Sequence, residues 1–139
     1  EQAYELGSIR LALDPDNPDQ LRKQYDRALA IGKTQQALAL TQRLIEILPH
    51  DESSHERLAQ IAEWSQQPKL AVKEWLWLAR KRKDTPAILN ALRLATQLNL
   101  HNITVEMLER LSNIRELSKE EMNNLLYAYD NMHNLSSKR

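Results

Sequence analysis

The chain has 139 residues, 19 basic and 19 acidic, and no cysteine. Zero net charge gives no support to a nucleic-acid binder, and the missing cysteines exclude disulfides and thiolate metal sites. Leu (24), Ala (14) and Gln (10) far outnumber Val (2) and Gly (2), so the composition favours helix and excludes Val/Ile-rich parallel sheets.

The expected elements in chain order are eight helices. They lie near residues 2–13, 19–31, 34–47, 52–65, 68–82, 86–99, 103–114 and 119–133. Leu135 to Arg139 are expected to fray. No apolar run reaches the roughly 20 residues of a membrane span. The chain begins at Glu1 rather than Met, and we expect an excised piece of something longer.

The start and stop signals are specific. Asn17 is placed to cap, with Pro18 at the first helical position. Gln67-Pro68 and Thr85-Pro86 place proline in a first turn. Ser118-Lys-Glu-Glu121 is a capping box. Gly32 falls where a first helix must end.

These signals recur. Pro15 and Pro49 are 34 apart, as are Ala3, Ala37 and Ala71, then Ala28 and Ala62, then Leu44 and Leu78. That is the period of the tetratricopeptide repeat (TPR), a helix–turn–helix unit. The small alanines let paired helices approach closely. After residue 83 the offset falls to 33, and Thr104 replaces the alanine. The fold class is therefore all-α: antiparallel helix-turn-helix repeats in a TPR-like superhelical α-solenoid. The expected array runs over 1–139. Residues 1–17 are the second helix of a truncated repeat, 18–51 and 52–84 are repeats, 85–117 is a degenerate one, and 118–139 open a further one.

In such an array first helices line a concave face that holds a peptide or another protein. By repeat register the face carries Arg22, Asp26, Glu56, Gln60, Glu63, Trp64, Asn90, Arg93, Gln97, Asn123, Tyr127 and Asp130. Trp75 is expected in the core. Trp77 matches Arg43 and Arg110 in neighbouring repeats, so it is expected to be exposed on the outer face. There it would touch a partner or a second copy. The run Arg80, Lys81, Arg82 and Lys83 ends the same helix. It suits the helix dipole, or alternatively an acidic partner. Neutrality hides a division: residues 1–68 carry seven basic and eleven acidic groups, and residues 69–139 carry twelve and eight.

No phosphate loop, dinucleotide motif or nucleophile elbow occurs. His50, His55, His101 and His133 form no ligand spacing and read as turn and surface residues. Neither an enzyme nor a cofactor is expected.

The stretch from Arg57 to Arg80 contains Leu58-Ala-Gln-Ile-Ala-Glu-Trp64 and Trp75-Leu-Trp-Leu-Ala79. It resembles the periplasmic TPR region of PelB-type outer-membrane exopolysaccharide export proteins, chiefly over residues 20–111. The resemblance implies a periplasmic scaffold ahead of a β-barrel lying outside this chain. It also implies recruitment of a polymer-modifying enzyme, a PelA-like deacetylase, and contact with polysaccharide in biofilm matrix export. A cytosolic peptide-binding adaptor or co-chaperone is the competing expectation.

Overall fold

A computed structural model describes the backbone of residues 2–137 and the side chains of residues 2–133. Among these there are eight helices and no strand. They are α1 (Gln2–Leu13), α2 (Pro18–Ala30), α3 (Thr34–Ile47), α4 (Glu52–Trp64), α5 (Pro68–Arg82), α6 (Thr85–Gln97), α7 (His101–Ser112) and α8 (Lys119–Ser137). Each agrees with its sequence expectation to within a residue or two, except that α8 runs on to Ser137. The expected fraying thus falls on helical backbone at Leu135–Ser137, while Lys138 and Arg139 lie outside the described residues.

The punctuation explains the agreement. At the starts of α2, α4, α6 and α8 the N-cap side chain accepts a backbone N–H three residues on. Asn17 accepts from Gln20 at 3.1 Å and Asp51 from Ser54 at 3.2 Å. Asp84 accepts from Ala87 at 3.2 Å, and Ser118 from Glu121 at 3.1 Å. Each bond satisfies an orphan donor of the first turn. The turns are equally repetitive. The N–H of Lys33 bonds the carbonyl of Ala28, Gln67 that of Ala62, and Leu100 that of Ala95. The residue before each donor is left-handed: Gly32 (φ 75°), Gln66 (φ 56°) and Asn99 (φ 56°).

Only Gly32 adopts that conformation without steric cost. Gln66→Gly is therefore expected to stabilise the protein by about 1 kcal/mol, since a side chain in this region costs roughly that much. Asn99→Gly should gain less, because Asn tolerates the left-handed region. Thermal midpoints of the two variants check this order.

The four caps fall at residues 17, 51, 84 and 118, so the register steps by 34, 33 and 34. The missing residue lies between Gln66 and Asp84, where the link after α5 is shorter than the link after α3.

The molecule divides into two compact units, Glu1–Ala71 and Val72–Arg139. In the first, α1 packs on α2, α2 on α3 and α3 on α4. Its core holds Tyr25, Ala28, Ala37, Leu38, Leu58 and Ile61, with Tyr4, Leu29, Leu40, Ile45 and Leu70 around them. Ala28 and Ala37 have no exposed surface, as the close approach of paired helices requires. In the second unit α6 packs on α7 and α7 on α8. Ile88, Ala91, Leu94, Ala95, Met107, Leu108 and Leu111 are buried there. Thr104 is buried at the alanine position and donates its hydroxyl to the Leu100 carbonyl at 3.1 Å. The bond satisfies a polar group that would otherwise be costly to bury.

The capping box forms as expected and gains a third member. Glu121 accepts from Ser118 N at 2.8 Å and from Arg115 Nη1 and Nη2 at 2.8 and 2.9 Å. Chiefly through the Arg115 bond, its pKa falls from 4.5 to about 2. A carboxylate whose pKa is lower folded than unfolded adds stability above the unfolded value and loses it as pH falls toward the folded one. The thermal midpoint of the wild type should exceed that of Glu121→Gln at pH 7. The gap should close as pH falls from 4.5 to about 2.

Candidate functional site

The face assigned by register can now be located within each unit. In the first unit Asp26, Gln60 and Trp64 are exposed, while Arg22, Glu56 and Glu63 are half-buried. Arg22 is engaged by Asp19 at 3.2 Å and Asp51 at 3.7 Å. Asp51, bonded by the Ser54 hydroxyl and then by Arg22, is held below the usual carboxylate range. Trp64 is the exposed tryptophan, at 62%.

In the second unit Arg93, Gln97, Asn123, Tyr127 and Asp130 are exposed. Asn90 is half-buried and accepts from Arg93 Nη2 at 3.2 Å. The caps correct its register. Arg22, Glu56 and Asn123 each stand five residues after their cap, and after Asp84 that place belongs to Leu89. The shortened link before α6 caused the slip. This face therefore carries an exposed leucine where a polar residue was expected.

Tyr127 leads to a feature the sequence did not signal. Thr96, Asn99, His101, Thr104, Asn124, Tyr127 and Ala128 line a cleft of ≈ 200 Å³ among the end of α6, the start of α7 and α8. His101 meets the Tyr127 ring edge-on, with centroids 5.9 Å apart and planes at 71°. Thr96 donates to the Arg93 carbonyl at 2.8 Å, and Asn131 to the Tyr127 carbonyl at 2.8 Å. The lining offers carboxamides, hydroxyls, an imidazole and a phenol, and no ionised carboxylate, ammonium or guanidinium. Such a lining suits a neutral, hydrogen-bonding group beside an aromatic ring. His101 is thus a cleft residue rather than a bare turn residue. Its role depends on packing with α8, which no local spacing encodes.

His55 also departs from expectation. It is buried, with Nε2 placed 2.8 Å from the Pro49 carbonyl. It stands four residues after its cap, where α2 has Leu21 and α6 has Ile88, both buried. The helix turns that place inward whatever residue fills it, and the ring satisfies itself on the preceding loop.

The outer-face expectations divide. Trp75 is buried, as expected, but Trp77 is half-buried rather than exposed. The inference from arginine failed because an arginine stem lies along apolar surface. Arg110 itself is only 34% exposed.

The cationic run is not four equivalent charges either. Arg80 donates Nε and Nη2 to both oxygens of Glu106, at 2.9 and 2.7 Å, and Arg110 Nε joins them at 3.0 Å. These bonds, with Arg80 first, hold Glu106 below the usual carboxylate range and raise Arg80 further. Arg82 is half-buried, and Lys81 and Lys83 remain exposed. Lys83 and Arg110 flank a second cleft of ≈ 330 Å³ with Ile88, Asn113 and Ile114.

Among the described residues no group of three or more His, Asp or Glu could hold a metal ion. No helix among them is long and apolar enough to cross a membrane.

Repeated caps, left-handed turns and small residues at the helix crossings define a TPR-like helical-repeat fold. Two solved structures share it. The chain matches a crystal structure of MamA protein with TM-score 0.66 at 15% identity, over 92% of this chain and 70% of that one. It matches a second crystal structure of MamA with TM-score 0.65 at 14% identity, over 94% and 77%. Likeness at such identity shows the fold. No protein-family model matches the sequence, and no curated protein matches it either.

Proposed function

We propose that this chain is a non-catalytic scaffold that binds a protein partner through the exposed faces of its first helices. The observation that carries the reading is the exposure of Trp64 (62%) and Tyr127 (63%), the second bordering the neutral cleft. Exposed aromatic rings beside hydrogen-bonding groups are the usual anchors of interfaces. The fold supports a scaffold in general, and TPR-like folds are typically non-catalytic.

The finer reading is a periplasmic segment of a Pel-like exopolysaccharide secretion protein. It would recruit a polymer-modifying deacetylase and assist polysaccharide export at the outer membrane. The Arg57–Arg80 stretch with its three tryptophans is what supports it. A cytosolic peptide adaptor is less favoured. Its carboxylate-gripping cations are wanting, since Arg22 is already shared by Asp19 and Asp51.

The test is titration of the chain with a purified PelA-like deacetylase by calorimetry. Binding is expected, weakened at least about tenfold by Trp64→Ala or Tyr127→Ala with circular dichroism unchanged. Absence of binding would refute the secretion reading. Binding that ignores both substitutions would refute the proposed face.

A further inference from the structure

The first and third repeats carry the same arginine in different company. Counted from the caps Asn17 and Asp84, Arg43 and Arg110 stand at one place. The other matching pairs are Asp16 with Lys83, Leu21 with Ile88, Glu46 with Asn113, and Ile47 with Ile114. Trp77 fills the arginine place of the middle repeat, so the comparison rests on these two. In the first repeat the chain satisfies the arginine itself. Arg43 Nη2 donates to Asp16 Oδ1, and Nη1 lies 3.8 Å from Glu46 Oε2. In the third repeat both carboxylates are gone: a lysine stands for Asp16 and a carboxamide for Glu46.

Arg110 commits Nε to Glu106 at 3.0 Å, while its Nη1 and Nη2 have no partner among the described residues. Lys83 is exposed, and no described carboxylate pairs with it. Both cations line the ≈ 330 Å³ cleft with Ile88, Asn113 and Ile114, and no carboxylate lines it. The neighbouring carboxylates are already engaged. Glu106 has both oxygens on Arg80, and Asp84 accepts from the Ala87 N–H. Two like charges in one cleft raise each other's energy, and an anion between them lowers it. The apolar side differs in the same sense: Ile114 is exposed, where Ile47 is half-buried. The dipole of α5 accounts for a cation at Lys83. It does not account for the loss of both acceptors around Arg110. Lys83 is also left-handed (φ 56°), so its side chain stands there at a steric cost that glycine would not have.

We infer that this cleft is a docking site for an acidic segment of a protein partner, with a carboxylate between Lys83 and Arg110 and an adjacent aliphatic side chain on Ile114. The carboxylate takes the place that Asp16 holds beside Arg43. An exposed ion pair alone gains little, so the aliphatic contact is part of the site. The site is separate from the first-helix faces proposed above and needs neither Trp64 nor Tyr127. The basic excess over residues 69–139 favours the approach of such a segment.

The test is a nuclear magnetic resonance titration of the isotope-labelled full chain with a short peptide, capped at both ends, that holds one Glu-Leu pair. The amide signals of Asn113 and Ile114 should shift and saturate. Changing the peptide's Glu to Gln, or its Leu to Ser, should weaken binding about tenfold. Lys83→Asp combined with Asn113→Glu rebuilds the carboxylates of the first repeat, so it should abolish binding with circular dichroism unchanged. Lys83→Gly, which also relieves the left-handed backbone, should weaken binding about tenfold and keep the fold. No saturable shift at these amides would overturn the inference, as would equal binding of the Gln peptide or full binding by either variant. Inorganic polyphosphate that displaces the peptide at equal charge concentration would overturn the choice of an acidic protein segment.

Discussion

Leu44→Ala is expected to destabilise the protein by about 2–5 kcal/mol. Leu44 sits in the last turn of α3 with no exposed surface. α3 packs against both α2 and α4, so helices on two sides fix its surroundings. Truncation removes buried carbon from an interface that cannot collapse without shifting a helix, and the transfer cost and the cavity cost then add. The loss is a large share of the roughly 5–15 kcal/mol of a typical domain. Urea unfolding followed by circular dichroism measures it. The control is Leu6→Ala, the same chemical change on an exposed stripe, which should stay within about 0.5 kcal/mol. Equal losses at both positions would mean that α1 is covered in solution.

The contrast between these leucines shows why helices were legible in the sequence while surfaces were only partly so. Caps, prolines and glycine act over three or four residues. Asn17, Pro18, Gly32 and Ser118 therefore mark their boundaries before any packing is known. The alanines at 28, 37, 62 and 71 are legible for a related reason, since close helix crossings recur at the repeat period. Exposure is set by what lies across the interface. Trp77 followed Arg43 in register but not in burial, whereas Arg110 at the same place is half-buried as Trp77 is. His55 lies on an inward place that its residue type hides. Asn90 was misplaced by one residue because the deletion precedes α6 and alters no motif in it. The cleft at His101 and Tyr127 is built from the end of α6, the start of α7 and the middle of α8, so Tyr127 could be found by register and its neighbours could not. The cationic run looked uniform because Glu106, which grips Arg80, lies 26 residues away.

Gly7→Leu is expected to detach α1 from α2. Gly7 is the buried residue of α1, and a Cβ built there would lie 1.9 Å from Gln24 Oε1 and 2.5 Å from Arg27 Nη1. Those atoms end flexible side chains, but Gln24 has little freedom to retreat. It is buried, and its Nε2 donates to the Tyr4 carbonyl at 2.8 Å and to Ser8 Oγ at 3.0 Å. Displacing it breaks the two bonds that tie α1 to α2, and it strands a buried amide. Overpacking of this kind costs about 1–3 kcal/mol. Leucine regains up to about 1 kcal/mol of helix propensity over glycine, so the local helix improves while its docking fails. The damage should be confined. Amide exchange of residues 4–12 should rise toward that of a free helix, while α3 and α4 keep their protection. A uniform loss of protection through α4 would show that α1 is integral to the first unit.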